Sequence, residues 1–557
     1  MIWRPSASVA GMVLSAALAF ACGCAGAPAG PTLPSNTSGW WRDKVVYEVF
    51  VRSYADSDGD GVGDLKGLTA RLPDLGRCAG VAATNSLGVD ALWLMPIFPS
   101  PSYHGYDVTD YAAINPKYGT LPDFDSLVSS AHACDLKIVL DMVLNHSSSQ
   151  HPWFIDSASD PAAAHRGWYV WSDTLASPGW SSPTGGGGAA WFWNNGAWYY
   201  AAFSPAMPDL DLTNPAVEAE LVAAMKFWLK RGVDGFRLDA VPYYVETGPG
   251  AGQRNQPATH AFLKRIRAAL QAEYPRTLLV AEAWQSAPTV ATYYGAGDEV
   301  QLAFTFDLAA RLVGAAASGN NGDLMNAIDD AEAALGGIDR GFQAPFLTNH
   351  DQVRVMRQLR ADPAAARTAA AALFAMAGTP FIYYGEELGM QGGPTADDKD
   401  KRTPYRWNAA LQNAGFTSGV PWYSASTSEA AGTDLAAQRA DPTSLWNLYR
   451  SLVALRHAWP ALHEVGFARL TAVQATATAS SPIALLRSAA GKRILFVANF
   501  ATSPSGAFSV TLPLPAPAAS PPSILLGEGL GTPPAVNSAT LSFANLQPRG
   551  FAFVSLD

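Results

Sequence analysis

Arg237 and Asp239 stand two residues apart in a stretch that is otherwise apolar, Gly235 to Val241 (G-F-R-L-D-A-V). A short apolar run of this kind reads as a strand buried on both faces, where two charges are expensive unless they serve each other. The two-residue period of a strand puts both side chains on one face, so the guanidinium is expected to fix the carboxylate and keep it ionised, as a carboxylate nucleophile requires. A structural ion pair at a strand end is the competing reading. Similar runs end in further acids and histidines: Asp141, Asn145 and His146, then Glu282, then His350 and Asp351. Retaining cleavage of a glycosidic bond needs one carboxylate to attack the anomeric carbon and one carboxylic acid to protonate the leaving oxygen, ~5 Å apart. Neighbouring barrel strands lie roughly 4.8 Å apart, so Asp239 and Glu282 on consecutive strands can meet that requirement. Crowded like charges also tend to leave one acid protonated.

Asn214-Pro215 signals a helix start, Glu218 and Glu220 lie in its first turns, and Lys230 and Arg231 precede Gly232. A helix closed by glycine and followed at once by a buried strand is one step of a parallel α/β protein. Eight such strands are expected: 45–51, 91–98, 137–146, 235–241, 277–284, 300–307, 346–351 and 379–387. With helices between them they form an α/β fold, a closed (β/α)8 TIM barrel, in which charge at the C-terminal strand ends marks the site. Residues 40–145 and 207–459 make up the barrel, and 146–206, dense in Trp, Gly and Pro, form an inserted domain after the third strand. Within it, the Gly185 to Gly188 run, Trp191 and Trp193 offer cover or stacking surface. Residues 460–557 alternate in polarity and form a C-terminal all-β domain, with a hairpin at 483–499, a proline-rich connector at 513–522 and a last strand at 550–556.

Asp56, Asp58, Asp60 and Asp64 alternate with Gly and Ser, which is the oxygen spacing of a calcium loop, with the Val62 carbonyl as a further ligand. Gly67 stands where an EF-hand carries its glutamate, so a calcium loop without the flanking EF-hand helices is expected, against a metal-free polar turn. The 557 residues are 48% hydrophobic and carry a net charge of -10, with no basic run, which excludes a nucleic-acid partner. Residues 1–39 comprise a signal peptide and linker: Arg4 precedes an apolar run from Val9 to Ala21, and Ala19-Phe20-Ala21 has the small-x-small cleavage pattern. Export is therefore expected. Cys22 and Cys24 at the end of the run resemble a lipoprotein signal, so a lipid anchor to a membrane and free secretion stand as alternatives. Cys78 and Cys134 fall near the ends of the first two barrel helices, and one disulfide is expected between them.

D-M-V-L-N-H, G-F-R-L-D-A-V, the glutamate of V-A-E-A-W and F-L-T-N-H-D, with M-P-D-L-D at Met207 to Asp211, resemble the ordered motifs of glycoside hydrolase family 13, the α-amylase family. The resemblance runs from about Trp40 to the C-terminus. It implies Asp239 as nucleophile, Glu282 as general acid/base and Asp351 as transition-state stabiliser. Around them it implies a sugar subsite of Arg237, His146, His350 and Asp141, with Tyr106 as stacking platform and His104 as hydroxyl ligand. Ala240 is followed by Val241, Pro242 and Tyr243 rather than the Lys-His of secreted α-amylases. K-R-T-P-Y-R-W (401–407) and the calcium loop resemble the oligo-1,6-glucosidase branch, yet Tyr103 stands where that branch has an acid. These mixed features resemble a group intermediate between oligo-1,6-glucosidases and neopullulanases or α-amylases. The expected protein is a monomeric, exported hydrolase acting internally on α-1,4-linked glucans or maltooligosaccharides. An exo-acting α-glucosidase, a transglycosylase such as a trehalose synthase, and a non-enzymatic sugar-binding protein are the alternatives.

Overall fold

The computed structural model describes residues 39–184, 188–335, 343–395, 397–424, 429–464, 466–474, 481–513 and 521–557. Residues 1–38 with the signal and lipidation motifs, 185–187 of the glycine run and 514–520 of the proline-rich connector lie outside that set. Eight parallel strands form the barrel: β1 (Val46–Val49), β2 (Ala91–Leu94), β3 (Lys137–Met142), β4 (Gly235–Leu238), β5 (Leu278–Ala281), β6 (Leu302–Phe304), β7 (Gln343–Ala344) and β8 (Phe381–Tyr383). The ladder runs β7-β6-β5-β4-β3-β2-β1-β8. Two backbone bonds bridge the remaining seam, from Thr379 N to Gln343 O and from Phe381 N to Pro345 O, each 2.9 Å. The barrel is thus nearly closed, and its inside is packed with Val46, Trp93, Val139, Val280, Phe304, Phe346 and Phe381 rather than open as a pore.

Local chemistry sets each step of the winding. The helix Pro215–Lys230 starts where the Asn214 side chain accepts the Ala216 N–H, and it buries Val217, Leu221, Met225 and Trp228 against the barrel. Gly232, at φ +95°, turns the chain into β4. Gly235 then lets β4 approach β5, because a Cβ there would lie 2.6 Å from the Leu278 carbonyl oxygen. After β2, Thr120 and Asp123 form a reciprocal capping box at the start of Leu121–Ala133. That helix ends at Cys134, which is bonded to Cys78 just past the end of Leu65–Leu75, as expected.

Two strand expectations are corrected. The run 346–351 is not the seventh strand: β7 lies before it, and its pairing with β6 stops at Pro345, which has no N–H to donate although its carbonyl still accepts from Phe381. Asn349 then organises a turn, its side chain accepting the Asp351 N–H and its carbonyl the Gln352 N–H. The sixth strand likewise stops at Phe304, and a helix begins at Phe306.

Between β3 and β4 the chain forms a three-stranded antiparallel sheet from Trp171–Ser172, Ala197–Tyr200 and Trp191–Asn194. The C-terminal region packs a five-stranded sheet against a four-stranded one around Leu495, Val497, Val510, Leu541 and Val554. Buried Arg487 ties this sandwich to the barrel through the carbonyls of Ala375 and Met376. Among the described residues no helix is long and apolar enough to cross a membrane.

Candidate active site

The expected residues Arg237, Asp239, Asp141 and Glu282 come together at the C-terminal end of the barrel. Arg237 is fully buried on β4, and its Nη1 donates to Asp141 Oδ1 at 2.9 Å and to Asp239 Oδ1 at 2.5 Å. Its Nη2 lies 2.9 Å from Glu282 Oε2, close enough for charge attraction but misaligned as a hydrogen bond. Ala240, the residue after Asp239, adopts a left-handed turn at φ +53°, and its N–H donates to Glu282 Oε2 at 2.8 Å. The turn that ends β4 thereby aims the second carboxylate.

One cation shared among three buried acids does not hold them all at ordinary acidity. Burial raises Asp239 to about 6 and Glu282 to about 7; Arg237 opposes the rise in each, and neighbouring carboxylates add to it. Desolvation outweighs the guanidinium in Asp239, yet with Arg237 opposing the rise the carboxylate is still mostly ionised at neutral pH. The order is still the useful one, with Glu282 retaining its proton to higher pH than Asp239.

A second cluster faces the first. The His350 Nδ1–H donates to Glu48 Oε1 at 2.5 Å, and its Nε2 lies 3.2 Å from Asp351 Oδ2. Arg402 Nη2 donates to Asp351 Oδ1 at 2.9 Å, and Arg402 Nε donates to the His350 carbonyl. The facing anions raise His350 to about 9 despite its burial. His350 and Arg402 together hold the Asp351 carboxyl well below its usual range against the opposing effect of burial. Tyr106 bridges the clusters: its O–H donates to Asp141 Oδ2 at 3.0 Å, its oxygen is 2.6 Å from His350 Nε2, and its ring stacks on His350.

The remaining expected residues line the same mouth. His104 Nδ1 accepts the Tyr106 N–H at 3.1 Å, and the His104 ring stacks over Tyr106. His146 is buried beside Phe203, and burial lowers it to about 3, so it is a neutral imidazole. Its Nε2 is buried without a hydrogen-bond partner. Tyr103 stands at the edge, but its ring is not bare: Trp422 stacks on it at 5.4 Å, with Lys399 Nζ 5.4 Å and the Arg402 guanidinium 5.8 Å from its centroid.

Four contributors were not singled out from the sequence. Glu48 lies in the apolar strand V-V-Y-E-V-F-V, the same anomaly that marks Arg237, and could have been found on that ground. Arg402 and Trp422 come from a loop more than 50 residues beyond Asp351, and Trp93 donates its indole N–H to Asp141 Oδ2 at 3.2 Å. Arg402 lies within K-R-T-P-Y-R-W, but no local pattern pairs it with Asp351 or identifies Trp422 and Trp93.

Of the expected metal ligands, Asp56, Asp58 and Asp64 bring carboxylate oxygens within 4.8 Å of one another. Asp60 instead accepts the Val62 N–H at 2.7 Å. Three convergent carboxylates fit a hard cation with oxygen ligands. The loop also clasps the segment that carries Trp422: Asp56 Oδ2 accepts the Thr417 hydroxyl, and Trp422 N donates to Gly61 O at 2.8 Å.

Residues 48–465 match the family model "Alpha amylase, catalytic domain". The chain is 37% identical over 419 residues to Alpha-amylase 3 of Dictyoglomus thermophilum, a match covering 75% of this chain and 77% of that protein. It is 34% identical to the trehalose synthase/amylase TreS of Mycolicibacterium smegmatis, covering 76% and 77% of the two chains. The crystal structure of the α-amylase from H. orenii superimposes with a TM-score of 0.75 at 32% identity, covering 92% of this chain and 99% of that one. With the barrel, the clustered carboxylates and these likenesses together, the chain belongs to glycoside hydrolase family 13, the α-amylase family, as an enzyme acting on α-glucans.

Proposed function

We propose that the protein hydrolyses α-1,4-glucosidic bonds of starch chains and maltooligosaccharides internally, with retention of anomeric configuration. The observation that carries this reading is the pair Asp239 and Glu282 on one guanidinium, with Glu282 the one that still holds a proton where Asp239 is ionised. Arg237 holds Oδ1 of Asp239 and leaves Oδ2 to attack the anomeric carbon. As that bond forms, the glycosidic bond breaks and its electrons go to the leaving oxygen, which takes the proton of Glu282. The resulting Glu282 carboxylate deprotonates a water, which attacks the same carbon and frees Asp239. Asp351, ionised and one-third exposed, steadies the positive charge that develops on the sugar.

Exposed Trp284, two residues after Glu282 and stacked on Phe306 at 4.5 Å, offers a flat surface beside the carboxylate pair, which supports a cleft with room for more than one sugar. One observation favours the exo-acting alternative. The Tyr103 and Trp422 stack, flanked by Lys399 and Arg402, resembles a wall behind the first sugar more than an open path. Product analysis on starch, maltotriose, isomaltose, pullulan and sucrose separates the readings. Maltose and longer maltooligosaccharides of α configuration, with attack on blocked-end substrates, support internal hydrolysis. Glucose as sole early product supports the α-glucosidase, and trehalose from maltose the transglycosylase.

Asp56, Asp58 and Asp64 would hold a calcium ion with a structural role. Export is part of the same proposal, supported by the Cys78–Cys134 disulfide, a bond that persists in oxidising compartments.

A further inference from the structure

Three aromatic side chains are more than a third exposed among the described residues: Trp284 (54%), Phe203 (36%) and Trp193 (47%). Trp284 follows Glu282, and Phe203 packs on His146 and Tyr243, so both belong to the cleft. Trp193 does not. It lies on the hairpin of the inserted domain, directly opposite Trp198, with the two rings 5.3 Å apart at 70°.

Strand period places Trp191, Trp193, Trp198 and Tyr200 on one face of this hairpin. The inner end is closed, since Trp180 packs on Trp191 and Tyr200, both of them buried. The outer end, at Trp193, is open. The hairpin is also held firmly. The Asn195 side chain at the turn donates to the carbonyls of Ala158 and Ser159, each at 2.9 Å, and at the other end Gln253 donates to the Tyr200 hydroxyl. An exposed indole on an anchored strand is a preorganised surface rather than a loose side chain.

Its surroundings select the ligand. No Asp, Glu, Lys or Arg occurs among the 35 residues from Thr174 to Pro208. Asp209 and Glu246 act on Tyr200 at the buried end of this face, while the open Trp193 end is built from the uncharged stretch and suits a neutral polyhydroxylated chain, whose C–H faces stack on aromatic rings. The strand carrying Trp198 and Tyr200 runs on within three residues to Phe203 at the cleft. One long chain can therefore reach both places.

We propose that the Trp193–Trp198 face is a second α-glucan-binding surface, outside the catalytic cleft, that holds long chains while the cleft cuts them. The proposal rests on the hydrolase reading above and adds a prediction that short substrates do not share. Migration in native gels containing amylopectin tests it, in an Asp239→Asn background that leaves the polymer intact. Adding Trp193→Ala should weaken the apparent affinity about five- to tenfold, the loss expected when a stacked indole is truncated. Trp193→Tyr should restore most of it. In the otherwise wild-type enzyme, Trp193→Ala should leave maltotriose turnover and melting temperature unchanged. Undiminished retention of the Trp193→Ala protein overturns the proposal, as does an equal loss on maltotriose, which would place Trp193 in the cleft. A dimer that Trp193→Ala converts to monomer, with retention unaltered, overturns it in favour of a contact between copies. If the wild type cleaves no α-1,4 glucan, the hydrolase reading falls and this proposal with it; cleavage with unchanged retention removes this proposal alone.

Discussion

Two arginine–carboxylate clusters meet at the mouth of the barrel, one with three acids on one cation and the other with two acids on two, and they are tuned in opposite directions. On one side Arg237 alone serves Asp141, Asp239 and Glu282, and burial lifts the acids. On the other, Arg402 and His350 face Asp351, with Glu48 behind the imidazole, and Asp351 is driven down. Residue type does not decide the charge state here; the ratio of cations to buried acids does. The first side can hold and release a proton near neutral pH, whereas the second keeps a fixed negative charge. Tyr106 joins the two through Asp141 and His350 without equalising them.

The strongest way to break the first cluster is to remove either reacting group. Asp239→Asn or Glu282→Gln should lower kcat by about three to five orders of magnitude, while oligosaccharide binding, measured by calorimetry, persists. Activity within tenfold of wild type in either variant would remove the roles assigned. Arg237→Gln comes next. It strips three buried acids of their cation, so a loss of about 3–5 kcal/mol in unfolding free energy is expected, the usual cost of breaking a buried ion pair from one side. The activity that survives should move to higher pH, because Asp239 loses the charge that opposes its protonation. A pH profile of kcat/KM checks that shift.

Much of the first cluster was legible in the sequence because its anomaly is local: a charge in an apolar strand is visible wherever that strand goes. Arg237, Asp239, Asp141 and Glu282 all announce themselves in this way. The second cluster was legible only in part. His350 and Asp351 sit in a recognisable run, but the group that fixes His350 is Glu48, 302 residues away, and the group that fixes Asp351 arrives from the loop after β8. Pairings across a closed barrel depend on register and closure, which one sequence does not display. The fold followed the same division. Alternating or continuous apolar runs mark most strands, but at β7 apolar Phe346 and Leu347 draw the eye past Pro345, where the pairing with β6 stops.

Metal removal should fall on the second cluster alone. Asp56 holds Thr417, Gly61 holds Trp422, and Ser53 accepts the Trp422 indole N–H while donating to the Arg402 carbonyl. Chelation is therefore expected to lower the melting temperature by a few degrees and raise KM for maltooligosaccharides, with kcat changed less than about threefold. A parallel fall in kcat would show that the loop also positions Asp351 or the carboxylate pair, and not the outer subsite alone. No change in melting temperature, with no calcium by elemental analysis, would make the loop an ordinary turn.

The smallest effect compares the clusters most directly, through the same substitution made in each. Asp239 has a folded pKa of about 6, above the ~3.9 of an unfolded aspartate, so its neutral form is the one the fold favours. The stability linked to that proton is complete below about pH 3.9 and is lost as pH rises through 6. At pH 8 the wild type carries the full penalty of an ionised, desolvated carboxylate, and Asp239→Asn removes it. That variant, inactive, should melt about 1–3 °C higher than wild type at pH 8, with the difference shrinking toward pH 5. Asp351 is the reverse case. Its folded pKa is depressed, so its contribution is present above about pH 3.9 and is lost only as pH falls below that value. Asp351→Asn should therefore lower the melting temperature at pH 8, by a similar or smaller amount because the side chain is one-third exposed and solvent screens its partners. His350 limits the window from above: its folded pKa of about 9 exceeds the ~6.5 of the unfolded state, so its share is complete below about pH 6.5 and fades as pH rises through 9. Differential scanning calorimetry of the two variants from pH 5 to pH 8 reads the signs directly. If both substitutions shift the melting temperature in the same direction at pH 8, the charge ratio does not set the protonation of these acids, and burial alone must account for the difference between them.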